Sequence, residues 1–264
     1  HRLEIDSFKA YEEGQNPYVE AWWKWYPEVV KTLSILRLTG GEPLMHKSTW
    51  RLFEELHRNP QPHLELNINT NLGVKEQFVD NLVGNVNLIR ERKGVKSFAL
   101  YTSIDCWNKR AEYIRTGLKL DLWERNFHTY AMGTKTPINL MITFNALTVS
   151  TFKTLLEKIL EWRKQYDGII IPDSDSKRTI RFDTPYLKEP LHYDMNILPK
   201  DEFMPYMKES LDFIEQNIDD SDPTMFQTVE FEKFRRVHDY MQTSDYGEEK
   251  LNEGRKDFYN WFNE

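Results

Sequence analysis

Two short segments of the sequence carry residues suited to holding a small zwitterionic ligand. In the first, Gly40, Gly41, Glu42 and Pro43 follow an apolar segment. The two glycines let a ligand approach the backbone closely, and Glu42 supplies a carboxylate for an ammonium group. In the second, Arg115 supplies a guanidinium whose fork matches a carboxylate. Together they would take both ends of an amino acid, although a simple turn and a solvated arginine are the alternatives.

Other hydrogen-bonding residues directly follow apolar segments further along the chain: Asn71, Ser103, Asp105 and Asn145. Each of them alone is also typical of a turn or a helix cap. In a parallel α/β sheet or barrel, however, ligands bind at the carboxyl ends of the strands. Because polar residues follow four apolar segments in succession, the sequence predicts that they face one shared pocket.

The elements that must position these residues alternate between strands and helices. Apolar segments predict strands over residues 33–38, 64–68, 97–102, 138–144 and 179–182, and residues with helical spacing lie between them. Ser48 is the expected N-cap of the helix after the first strand. The alternation predicts βαβ units and a parallel sheet, hence an α/β fold. From residue 200 the pattern is helical with acidic loops, so we expect a core over 1–199 and a helical appendage, or the start of a second module, over 200–264.

These motifs together resemble the radical S-adenosylmethionine enzymes, in particular phage and bacterial members with an abbreviated SPASM domain called twitch. The similarity covers residues 22–193, and the Gly40–Pro43 segment matches the GGEP motif of that family. The resemblance implies a partial (β/α)6 TIM-type barrel, with its first strand absent from this chain. It also implies that S-adenosylmethionine is the cofactor, with the following contacts: Gly40, Gly41, Glu42 and Pro43 at the methionine amino group, Arg115 at the carboxylate, Ser103 and Asp105 at the ribose, and Asn71 and Asn145 lining the site.

The chain departs from the family in its cysteines. Members hold a [4Fe–4S] cluster on a CxxxCxxC loop upstream of the GGEP motif, and the reduced cluster cleaves the cofactor to a 5′-deoxyadenosyl radical. This sequence has one cysteine, Cys106, and it follows the third predicted strand. One thiolate cannot replace three. We therefore expect either a fragment whose cluster segment precedes His1, which we favour, or a degenerate homologue without a cluster, and in both cases no activity from this chain alone.

The resemblance also bears on partners. It implies a flavodoxin or ferredoxin as reductant and either a peptide or a small molecule as substrate. The formal net charge of −7 argues against binding to nucleic acid or to an anionic membrane. The single cysteine fits a reducing compartment, so we expect a cytoplasmic protein.

Two other function classes remain open from the sequence. Glu42 and Asp105 could serve as the paired carboxylates of a barrel hydrolase. A scaffold or binding protein could instead present the aromatic segment Trp22, Trp23, Trp25 and Tyr26 to a partner, although core packing explains those residues as well. The hydrolase class does not account for the match to the GGEP motif.

Overall fold

The sheet follows the strand order of the chain. The computed structural model describes residue 11 and residues 15–171 and 179–263, so the start of the sequence at His1 lies outside the described part. Five parallel strands lie side by side in sequence order: β1 (Ile35–Leu38), β2 (Gln61–Thr70), β3 (Val95–Ser103), β4 (Ile138–Met141) and β5 (Ile180–Asp183). The predicted α/β class with a parallel sheet is confirmed, and closure of the sheet into a partial barrel stays a prediction.

Helices connect the strands and continue after the last one. They are α1 (Pro17–Val29), α2 (Lys47–Arg58), α3 (Glu76–Glu91), α4 (Lys109–Ile114), α5 (Leu120–Thr134), α6 (Phe152–Gln165), α7 (Lys200–Gln216), α8 (Thr228–Thr243) and α9 (Gly247–Asn263). The predicted cap of α2 is wrong: the cap is His46, whose Nδ1 accepts from the Ser48 backbone N–H over 3.2 Å. The break between α4 and α5 lies at Gly117, whose φ of 88° an L-residue rarely adopts.

The two faces of the sheet differ in chemistry. Side chains alternate between the faces along each strand, and one set is apolar and almost fully buried: Leu66, Ile68, Phe98, Leu100, Ile138, Leu140, Ile180 and Phe182. The residues between them include asparagines, arginines and a tyrosine. A parallel sheet usually carries apolar side chains on both faces, and this sheet differs because its second face is polar.

The C-terminal helices pack against the end of the sheet. Arg163 of α6 and Glu230 of α8 form a buried ion pair at 2.7 Å, and the Arg163 Nε also donates to the Ile180 carbonyl of β5 over 2.9 Å. The region after residue 200 is therefore tied to the last predicted βα unit. Within the described residues, no helix combines the length and apolarity that crossing a bilayer requires.

Candidate functional site

The carboxyl ends of the strands lie level with one another. In register, Leu38 of β1 pairs with Ile68, Thr70 of β2 pairs with Thr102, and Ser103 of β3 pairs with Met141. The loops after these strands therefore start at one edge of the sheet. The residues predicted to face the shared pocket, namely Gly40, Gly41, Glu42, Pro43, Asn71, Ser103, Asp105 and Asn145, lie at a strand end or in the loop after one, whereas Arg115 follows α4.

Glu42 is held in place by the end of the neighbouring strand. Its Oε1 accepts from the Leu44 backbone N–H at 3.1 Å and from the Thr70 hydroxyl at 2.7 Å, while its Oε2 accepts from the Asn71 backbone N–H at 2.8 Å. The carboxylate thus joins the loop after β1 to the end of β2. It still presents lone pairs to an incoming cation, because a carboxylate accepts about four hydrogen bonds.

The glycines before Glu42 leave the space around the loop open. Gly40 has a φ of +124°, which favours glycine, and a Cβ on either Gly40 or Gly41 would meet no atom within 4 Å. A cavity of about 410 Å³ lies beside this loop, lined by residues that include Gly41, Glu42, Pro43 and the indoles of Trp22 and Trp23. A small ligand can therefore reach the Glu42 carboxylate from this side.

Asp105 and Arg115 form an ion pair rather than acting as separate groups. Arg115 Nη2 donates to Asp105 Oδ1 at 2.9 Å, and its Nε lies 2.8 Å from Oδ2. The Thr143 backbone N–H also donates to Oδ1, at 2.8 Å. Asp105 is only 2% exposed, whereas the Arg115 side chain is 27% exposed. The buried Asp105 carboxylate therefore fixes the orientation of the guanidinium, whose Nε is buried while the side chain stays partly exposed.

The two asparagines of the predicted site hold their own loops. Asn71 Oδ1 accepts from the Gly73 backbone N–H at 2.7 Å, and Asn145 Oδ1 accepts from the Leu147 backbone N–H at 2.9 Å. Asn145 Nδ2 also donates to the Thr143 carbonyl at 2.9 Å. These are the local side-chain bonds by which asparagine stabilises turns.

Ser103 is the last residue of β3 and is half-buried. Among the residues described, no partner accepts from or donates to its hydroxyl. It therefore has its hydrogen-bonding capacity available at the same edge of the sheet as Glu42 and Asp105.

Cys106 lies next to the ion pair but is not a reactive thiol. The side chain is fully buried, and burial raises the pKa of the Cys106 thiol to about 11. It therefore stays protonated near neutral pH, whereas a thiolate is needed for metal binding or nucleophilic attack. In the described part of the chain, no three His, Cys, Asp or Glu side chains are grouped as a metal site would require.

The aromatic segment of α1 divides between core and surface. Tyr26 is buried, Trp22 and Trp23 pack against the core, and Trp25 is 58% exposed. Sequence reasoning missed that Trp22 and Trp23 line the cavity beside Glu42, and it missed Thr70 as the residue that positions this carboxylate. The only signal for Thr70 was a hydroxyl in the last position of a strand.

Comparison of the chain with family models, with curated proteins and with solved structures returns no match. The geometry of the residues is therefore the basis for any statement about function.

Proposed function

We propose that this chain is the S-adenosylmethionine-binding core of a radical enzyme, built as a partial (β/α)6 barrel. The observation that carries the proposal is the position of Glu42. It follows two glycines at the carboxyl end of β1, is fixed by Thr70 at the end of β2 and by the backbone of Asn71 directly after it, and borders an open cavity. Strands in sequence order with parallel pairing are also what a TIM-type barrel requires.

In this proposal the chain binds the methionine part of the cofactor at both ends. Glu42 accepts hydrogen bonds from the ammonium group, and the Arg115 guanidinium binds the carboxylate as a fork. Asp105 holds Arg115 in position through the ion pair, in addition to its expected place near the ribose, where Ser103 offers a hydroxyl. Asn71 and Asn145 shape the loops around the cofactor.

A [4Fe–4S] cluster does not fit the residues of this chain. It needs three thiolates, and the sequence holds one cysteine, which is buried and protonated. Reductive cleavage of the cofactor and hydrogen abstraction from a substrate therefore require cysteines that these residues do not include. A CxxxCxxC motif encoded upstream of His1 would support the fragment hypothesis, and a start codon directly before His1 would favour the degenerate homologue.

The hydrolase alternative has less support from the geometry. Both oxygens of Asp105 contact hydrogen-bond donors of the protein, and the carboxylate is almost fully buried. A carboxylate in that state can neither deliver a proton to a glycosidic oxygen nor attack a sugar carbon.

The test is a titration of the purified chain with S-adenosylmethionine by isothermal calorimetry. Glu42→Gln should bind about tenfold more weakly, since it loses a charge-assisted hydrogen bond to the ammonium group. Glu76→Gln is the matched control, because Glu76 is an exposed carboxylate that pairs with Arg125 on the surface. Circular dichroism checks that both variants fold. The proposal fails if the wild-type chain does not bind the cofactor, or if Glu42→Gln binds it as well as the control does.

A further inference from the structure

The face of the sheet opposite the buried apolar residues carries a continuous group of polar side chains. We call Arg37, Asn67, Asn69, Tyr101 and Asn139 the polar face. In register, Arg37 of β1 pairs with Asn67 of β2, Asn69 pairs with Tyr101 of β3, and Tyr101 pairs with Asn139 of β4. Four adjacent strands therefore contribute to one polar surface.

Arg37 is pre-positioned on this face. Its guanidinium carbon lies 4.3 Å from the centre of the Tyr101 ring, two strands away, so the side chain crosses β2 to reach it. Stacking on an aromatic ring leaves the N–H donors at the edge of the guanidinium directed outward. Arg37 is exposed, and within the residues described here it forms no ion pair and no side-chain hydrogen bond.

A second polar group on the same face lacks a protein partner. The Asn69 Oδ1 is buried and accepts no hydrogen bond in the described part of the chain. A buried acceptor left without a hydrogen bond carries an energetic cost in the folded chain. A ligand that brings an N–H or O–H group to this face would remove that cost.

The charges around the polar face favour an anion. The nearby carboxylates are already neutralised, since Glu65 pairs with Lys96 at 2.8 Å and Asp183 pairs with Lys233 at 3.2 Å. Arg37 therefore brings to this side of the sheet a cation that no carboxylate of the described residues pairs with, although the whole chain carries −7.

From this we infer that the polar face binds a ligand bearing a carboxylate, with Arg37 at the carboxylate and the Asn69 Oδ1 accepting from a neighbouring N–H or O–H group of the ligand. The inference rests on the proposed function only in naming this ligand as the substrate. An acidic side chain in a peptide and a small free diacid share the necessary chemistry, and the experiment separates them.

The experiment follows backbone amide signals of the purified chain by NMR, without S-adenosylmethionine, during titration with three probes. The first is a short blocked peptide with a central glutamate, the second is the same peptide with glutamine, and the third is glutarate. We expect the glutamate peptide to shift the amide signals of residues in the polar face. The glutamine peptide should bind at least about tenfold more weakly than the glutamate peptide. Glutarate binding with similar affinity would indicate a small acid, and its failure would indicate a peptide.

Arg37→Met should weaken binding of the glutamate peptide about tenfold to a hundredfold, because it removes a charge-assisted contact. Arg51→Met is the matched control, since Arg51 stacks on Trp23 at 4.1 Å in the same way but outside the polar face. Asn69→Asp is a second test and should weaken binding by placing a like charge on the face.

The inference is overturned if the two peptides bind equally, if no probe binds, or if Arg37→Met binds as the Arg51→Met control does. Binding of S-adenosylmethionine is measured separately for each variant. Loss of peptide binding with cofactor binding unchanged supports the polar face alone, whereas a chain that binds the peptide but no cofactor contradicts the proposed function and not this inference.

Discussion

The hydroxyl of Thr70 donates to the Glu42 carboxylate over 2.7 Å, so the last residue of β2 positions the residue that follows β1. The same hydroxyl accepts from the Leu72 backbone N–H at 3.1 Å. It therefore links three points of the site's edge: the loop after β1, the end of β2 and the turn after it. A single small side chain at a strand end fixes the geometry of the central carboxylate.

We expect Thr70→Val to weaken S-adenosylmethionine binding about tenfold, because Glu42 loses a charge-assisted bond and its carboxylate is no longer fixed. Valine keeps the shape of threonine, so the change tests the hydroxyl. Thr70→Ser retains the hydroxyl and should bind as the wild type does. Calorimetric titration of the two variants makes the comparison, and equal affinities for the valine and serine variants would contradict a positioning role.

The ion pair between Asp105 and Arg115 should contribute to the stability of the folded chain. Arg115→Met leaves an almost fully buried carboxylate without its guanidinium, and we expect a loss of about 2–4 kcal/mol in the free energy of unfolding. Asp105→Asn leaves only the partly exposed guanidinium unpaired, so solvent screens it and the loss should be smaller, about 1–2 kcal/mol.

Urea denaturation of both single variants and of the double variant checks the order of these effects. The double variant should be more stable than Arg115→Met, since it no longer buries an uncompensated charge. An Arg115→Met protein that is at least as stable as Asp105→Asn would show that the buried carboxylate does not depend on Arg115.

The Arg163–Glu230 pair links α6 to α8 and is the second buried ion pair to be tested. Both side chains are almost completely buried. Glu230→Gln keeps the acceptor that caps α8 but removes the charge opposite Arg163, so we expect a loss of about 3–5 kcal/mol in the free energy of unfolding. The surface variant Arg125→Met, which breaks the exposed pair with Glu76, should lose less than about 1 kcal/mol.

Chemical denaturation followed by tryptophan fluorescence measures both losses. A Glu230→Gln protein that loses no more than Arg125→Met would indicate that the region after residue 200 contributes little to the stability of the sheet. A large loss in a single cooperative transition would indicate that α8 unfolds together with the βα units.

Local patterns predicted the elements well because each pattern depends on nearby residues. The alternation of apolar residues identified β2 and β3. β4 ends at Met141, earlier than the apolar segment 138–144 indicated, because Ile142 and Phe144 continue as buried residues outside the regular strand. Periodicity does not separate a strand residue from a buried loop residue.

The pairings within the site could not be predicted in the same way. Glu42 meets Thr70, 28 residues away, only because β1 and β2 are parallel neighbours in a particular register. Asp105 faces Arg115 because the chain turns back through α4. The sequence identifies residue types that suit a ligand, whereas the partners that already occupy them depend on strand register and loop path.

The last prediction concerns the reactivity of Cys106. Burial raises the pKa of its thiol from 9.0 to about 11, so the reactive thiolate is present in the folded protein only at high pH. At pH 8 we expect alkylation by iodoacetamide to be at least about 100-fold slower than in the unfolded chain, where the thiol has its ordinary pKa. Cys106 is the only cysteine, so the mass change reports on it without interference.

The sign of the pH effect follows from the same shift. The neutral thiol is favoured in the folded state, so its contribution to stability is complete below about pH 9 and is lost as the pH rises through 11. Cys106→Ser has no such titration and should lose less stability than the wild type over that interval. Urea denaturation at pH 8, 9.5 and 11 measures the difference. Rapid alkylation of the folded protein at pH 8, or parallel stability curves for the two proteins, would contradict a buried neutral thiol beside the Asp105–Arg115 pair.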